Sequence, residues 1–146
     1  MELQGRTCAI EPFSTAQAVI KAKFDTAPIE GAFNRQLVDR LSGKGLLVQE
    51  IHPGLGQADV TIEGQFVLID EGNRAQRYFL TGLAGSAALE VEGRLFFGDV
   101  PVTELHARVN RTAGFFGGGA QQLLQTAAVA AARQIADLVI AALQER

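Results

Sequence analysis

The chain has 146 residues, of which 47% are hydrophobic and 20% are charged, and its formal net charge is -3. These proportions are typical of a globular domain and exclude a disordered chain, so we expect one domain over residues 1–146. No cluster of lysine or arginine interrupts the charge balance, which argues against nucleic acid as a partner. The lone Cys8 excludes an intrachain disulfide framework and fits a small buried strand residue.

The first third of the chain predicts a strand, a helix and a second strand. Residues 7–13 alternate weakly and end at Pro12-Phe13, which is typical of a strand leading into a loop. Pro28 suits the first turn of a helix, and the glycines of residues 42–45 end that helix. The apolar run of residues 46–51 predicts a buried strand. Within the helix, apolar residues recur every four positions, at Ile29, Phe33, Leu37 and Leu41.

Alternation of apolar and polar residues predicts three further strands, over residues 60–68, 89–97 and 103–109. The first of them should turn Leu68 toward the core and end at a turn made by residues 70–73. Residues 98–101, Gly-Asp-Val-Pro, should close the second strand. Gly64 and Gly93 interrupt the apolar faces, which indicates a bulge or a close approach of another backbone at that level.

The titratable residues of these strands form no recognisable catalytic arrangement. Glu63 and Glu92 would repel each other if they lay directly opposite, so an offset register is expected. His52 and His106 are far apart in sequence and have no further ligand cluster, which argues against a metal site. We therefore expect no catalytic residue, metal or cofactor, and we expect that the protein is not an enzyme.

The C-terminal segment predicts a long helix whose apolar stripe is widened by Ala127 and Val139 and is formed by Leu124, Ala128, Ala131, Ile135, Leu138 and Ala142. Arg133, Gln134 and Asp137 interrupt its apolar run, so no transmembrane segment is expected. The order of elements predicts an α+β fold of two layers. In it, a mixed and mostly antiparallel sheet of about five strands packs against two main helices.

Glycines before the C-terminal helix suggest a second type of site. The backbone amides of Gly117, Gly118 and Gly119 at a helix N-terminus could hold an anion, with Arg74 and Arg77 as further contacts. The run lacks the lysine and hydroxyl residue of a phosphate-binding loop. For the two arginines, local ion pairs with nearby acidic residues are the alternative.

Several segments together resemble an uncharacterised bacterial family, domain of unknown function 4410. The likeness is carried by residues 57–64, 66–75, 77–79, 82–88, 89–93 and 114–118, and by the alanine-rich C-terminal helix. The resemblance implies small, often exported envelope lipoproteins of mixed α/β architecture, periplasmic or membrane-anchored, with no established catalytic residues. The N-terminus of this chain shows neither an export signal nor a lipobox before Cys8.

Two functional hypotheses follow. The first is a non-enzymatic interaction or assembly module of the bacterial cell envelope, whose partner is a second copy or another envelope protein. Its interaction surface is predicted in an apolar, small-residue segment, at Tyr78, Phe79, Leu80, Gly82, Leu83, Ala84 and Gly85. The second is a domain that binds a small molecule or anion through the arginines and glycine amides.

Overall fold

The computed structural model describes residues 2–50, 58–72, 87–111 and 119–145. The strands are β1 (Thr7–Ile10), β2 (Val19–Lys21), β3 (Leu47–Glu50), β4 (Val60–Asp70), β5 (Ala87–Phe97) and β6 (Val100–Arg111). The helices are α1 (Ala27–Ser42) and α2 (Ala120–Gln144). This confirms the predicted α+β fold with a mixed sheet and a long C-terminal helix; β2 is the strand that the sequence did not predict.

The strands form one sheet in the order β3-β1-β4-β5-β6, and β2 pairs with β4 on the same side as β1. β1 runs parallel to both β3 and β4, and β2 runs parallel to β4. The long ladders of β4 with β5 and of β5 with β6 are antiparallel. Most paired residues of the sheet are therefore antiparallel, although the strands around α1 are parallel.

Two predicted strand details are wrong. The strand predicted as buried, β3, is exposed along most of its length, with Leu47 57% exposed, and the inward face of β4 changes at a register shift. The shift in β4 lies between Phe66 and Leu68, so that Ile69 is fully buried and Leu68 is only partly covered. The predicted end of β5 before Gly98 is confirmed, although Val100 and Pro101 already belong to β6. The turn uses Gly98, whose φ of 54° suits glycine.

Both helices contribute to a single hydrophobic core. All four predicted positions of α1 are fully buried, which confirms its apolar face. In α2 four of the six predicted stripe residues are buried, and so are Ala127 and Val139, which confirms most of the apolar face. Leu138 is the exception, since it is 45% exposed while Leu143 is buried. By length and hydropathy alone α2 could cross a membrane, but half of its most apolar window is buried within this fold.

The aromatic ring of Phe13 explains why glycine occupies positions 64 and 93 of the strands. Gly64 lies directly opposite Gly93, and a Cβ on either residue would collide with the Phe13 ring and with a backbone carbonyl of the neighbouring strand. The prediction of a close approach is therefore confirmed. Asn34 on α1 fixes Phe13, because its Oδ1 accepts the Phe13 N–H at 2.8 Å and its Nδ2 donates to the Phe13 carbonyl at 3.0 Å.

Candidate interaction surface

The face of the sheet away from the core is polar, and we call it the outward face. Antiparallel pairing sets its side chains in cross-strand rows, formed by Glu63, Gln65, Glu90, Glu92, Arg94, Glu104, His106 and Arg108. In one row Glu63 lies opposite Arg94, which lies opposite Glu104. Glu92 instead lies opposite Gln65, so the predicted offset of the two glutamates is confirmed.

The tightest polar cluster of this face joins β5 to β6 around Glu90. Its Oε2 lies 2.6 Å from Nε2 of His106, and its Oε1 accepts a hydrogen bond of 3.1 Å from Arg108. The hydrogen bond with His106, together with the charges of His106 and Arg108, lowers the pKa of the Glu90 carboxyl. Glu90 is thereby held as a carboxylate with both oxygens engaged.

A shallow concavity of about 640 Å³ lies on the outward face. Its lining carries more carboxylates than cationic side chains, namely Glu11, Glu63, Glu92 and Glu104 against Arg94. Glu92 accepts a hydrogen bond of 2.9 Å from Gln65. The polar, charged lining of this concavity differs from the mostly apolar lining of typical small-molecule pockets.

The sheet ends on one side at β6, a strand of 12 residues. Within the described parts of the chain, β6 pairs only with β5, and we call its other side, which no described strand covers, the open edge. Glu104 has a side chain 84% exposed and contacts Arg94 at 3.8 Å. Val100, at the start of the strand, is 65% exposed. An edge strand presents unpaired N–H and C=O groups that can pair with another chain.

Most site residues predicted from the sequence lie outside the described residues. This holds for Arg74, Arg77, Gly117 and Gly118, and for the whole predicted interaction segment from Tyr78 to Gly85. Gly119 is described: it is the exposed N-cap of α2, whose first turn has no acidic residue. The anion site remains a prediction.

The sequence missed the open edge and the cluster around Glu90. The alternation over residues 103–109 predicts that Glu104, His106 and Arg108 share an outward face, and the structure confirms this. A single strand, however, gives no information about its neighbours. Across the described ranges, no group of three or more His, Cys, Asp and Glu residues is arranged to hold a metal ion. Cys8 is buried in β1, and this burial raises its pKa to about 12.

A family model described as Domain of unknown function (DUF4410) matches residues 20–118. No curated protein sequence is significantly similar to the chain.

Solved structures share the fold at low sequence identity. Protein XCC0632 from Xanthomonas campestris, described with the family model DUF330, has a TM-score of 0.64 and 10% identity, and the match covers 99% of this chain and 89% of that one. The hypothetical protein CT253 from Chlamydia trachomatis has a TM-score of 0.57 and 11% identity, with coverage of 97% and 96%. A PelC dodecamer from Paraburkholderia phytofirmans has a TM-score of 0.52 and 14% identity, with coverage of 92% and 88%.

Proposed function

Since this chain belongs to the DUF4410 family, a domain of unknown function, we propose that it is a non-enzymatic assembly module of the bacterial cell envelope. It works by binding another protein chain through the open edge of β6. The envelope location is supported by the sequence resemblance to envelope lipoproteins.

The observation that carries this proposal is the length of the open edge. Strands of β6's length are normally covered, shortened or interrupted at a sheet edge, because unpaired backbone groups invite pairing with other chains. Addition of a strand to such an edge is a common mode of protein recognition, in which backbone hydrogen bonds supply affinity. Among the described residues, β6 runs along this edge for 12 residues, of which Pro101 has no N–H to donate.

A binding role also accounts for the chemistry of the outward face. The carboxylates of Glu90 and Glu92 are engaged in contacts with His106, Arg108 and Gln65. A general acid or base needs a group that can reach and protonate a substrate. Carboxylates held in cross-strand pairs on an open sheet face instead favour a structural role.

A second copy of the chain is the partner that the comparisons favour. The PelC structure is a dodecamer of a protein with this fold. Self-association of this chain is consistent with that precedent.

Light scattering of the full chain over a hundredfold range of concentration tests the proposal. We expect the mass to rise from that of the 15.6 kDa monomer to at least twice this value. A mass that stays at 15.6 kDa at every concentration would contradict self-association.

A further inference from the structure

We infer that two copies of this chain pair β6 with β6 in antiparallel orientation, around a two-fold axis that passes beside His106. This inference rests on the proposed function and names the partner of the open edge. In this register Glu104 of each copy lies opposite Arg108 of the other, because both residues are two positions from His106. Opposite charges directly across two antiparallel strands stabilise the pair.

Among the antiparallel registers that keep the outward faces together, this is the one that places Glu104 opposite Arg108. Slips centred on residue 105 or 107 instead place His106 opposite Glu104 or Arg108. A slip that centres the pairing on residue 104 places Glu104 opposite its own copy, and a slip that centres it on residue 108 does the same for Arg108. Parallel pairing in register also brings like charges together. A slip that pairs odd with even positions would turn the buried face of one strand to the solvent side.

The pairing continues the charge pattern of each sheet across the two-fold axis. Within one copy, Glu63, Arg94 and Glu104 are successive neighbours in one cross-strand row. The next positions of that row are Arg108 and Glu90 of the second copy, which are already paired with each other inside that copy. Five side chains of alternating sign therefore span the joined sheets.

The side chains at the two-fold axis have room for a second partner. The Glu104 carboxylate contacts Arg94 at 3.8 Å, which is beyond hydrogen-bond distance. Arg108 uses Nη1 toward Glu90 at 3.1 Å, and a guanidinium has five N–H donors. On the opposite face Leu105 meets Ala107 of the other copy, so two apolar residues face each other.

Charge reversal in the full chain tests this register. Glu104→Arg alone and Arg108→Glu alone each place two like-charged pairs across the axis, and we expect each to raise the dissociation constant roughly tenfold or more. An equimolar mixture of the two variants restores both opposite-charge pairs and should recover association. Glu63→Arg makes the same charge change two strands from the edge and should leave the dissociation constant unchanged.

Cross-linking locates the axis independently of charge. Residues directly opposite in antiparallel strands have Cα atoms about 4.5 to 5.5 Å apart, which a disulfide can bridge. His106→Cys should therefore form an intermolecular disulfide under mild oxidation, while the buried Cys8 does not react. Asn110→Cys should not cross-link, because the two copies of this residue lie roughly 26 Å apart in this register.

The outcomes separate this inference from the proposed function. Recovery by the mixture together with cross-linking at position 106 supports the β6 pairing. If the chain associates but the charge variants bind as the unchanged protein does, or position 106 does not cross-link, another surface joins the copies and the inference is wrong. A chain that is monomeric at all concentrations overturns both.

Discussion

At the scale of single residues, the fold depends on side chains that the sequence pattern does not distinguish. Phe13 packs against Phe33 with ring centroids 4.8 Å apart, and Phe33 packs against Phe66 at 5.2 Å. Because Gly64 and Gly93 have no side chain, the Phe13 ring can lie against their backbone. Aromatic pairs of this kind stabilise a core beyond the area they bury. The glycines therefore serve packing and not flexibility.

Substitution of these glycines tests their role in packing. Gly64→Ala should destabilise the protein by about 1 to 3 kcal/mol, because the added Cβ meets the Phe13 ring and the Glu92 carbonyl. Gly31→Ala is the matched control, since Gly31 lies in α1 with no atom within 4 Å of an added Cβ. This control should stabilise the protein by about 0.5 to 1 kcal/mol. Urea unfolding measures both, and equal effects of the two substitutions would contradict the packing role.

At the scale of elements, helix spacing and strand alternation depend on one element alone and could be predicted from the sequence. The four-residue spacing of α1 is a local property, and the structure buries all four of its predicted residues. The three-residue strand β2 is too short to show a pattern, and it forms because Val19–Lys21 pairs with β4. The error at Leu68 has a similar cause, because a register shift depends on the neighbouring strand. The charge rows of the outward face could not be predicted for the same reason, because they depend on which residues of neighbouring strands lie opposite each other.

The hairpin of β5 and β6 should show a dependence on pH that comes from Glu90. The pKa of this carboxyl is lowered from 4.5 in the fold, mainly by its hydrogen bond with His106. Such a group stabilises the fold above its unfolded pKa, and this contribution is lost as the pH falls through the folded pKa. Glu90→Gln should therefore lower the free energy of unfolding by up to about 1 kcal/mol near neutral pH. The difference should shrink as the pH falls below 4.5 and through the lowered pKa of the folded state.

Chemical unfolding at a protein concentration that keeps the chain monomeric measures this difference at each pH. Glu104→Gln is the control, because the exposed Glu104 carboxylate lies 3.8 Å from Arg94 and should change stability little. A difference between the Glu90 variant and the unchanged protein that is the same at all pH values would contradict the assigned role of Glu90.

At the scale of the whole molecule, the two faces of the sheet differ in what covers them. Both helices cover one face and supply the core, while the outward face and the edge of β6 remain accessible among the described residues. The sequence predicted an interaction module, but it placed the surface at Tyr78 to Gly85, outside the described residues. The surface that we propose, the edge of β6, could not be read from one strand, because an edge depends on which strands pair with it.

Hydrogen exchange of the β6 amides tests the central claim, that copies of this chain associate through this edge, most directly. Amides that point away from β5 should exchange rapidly in dilute protein and become protected as the concentration rises, because a second β6 then accepts their hydrogen bonds. Peptides from β4 serve as the internal reference, and their exchange should be independent of concentration. We expect concentration-dependent protection confined to residues 100–111. Exchange of the β6 amides that stays the same while the mass increases would contradict association through this edge.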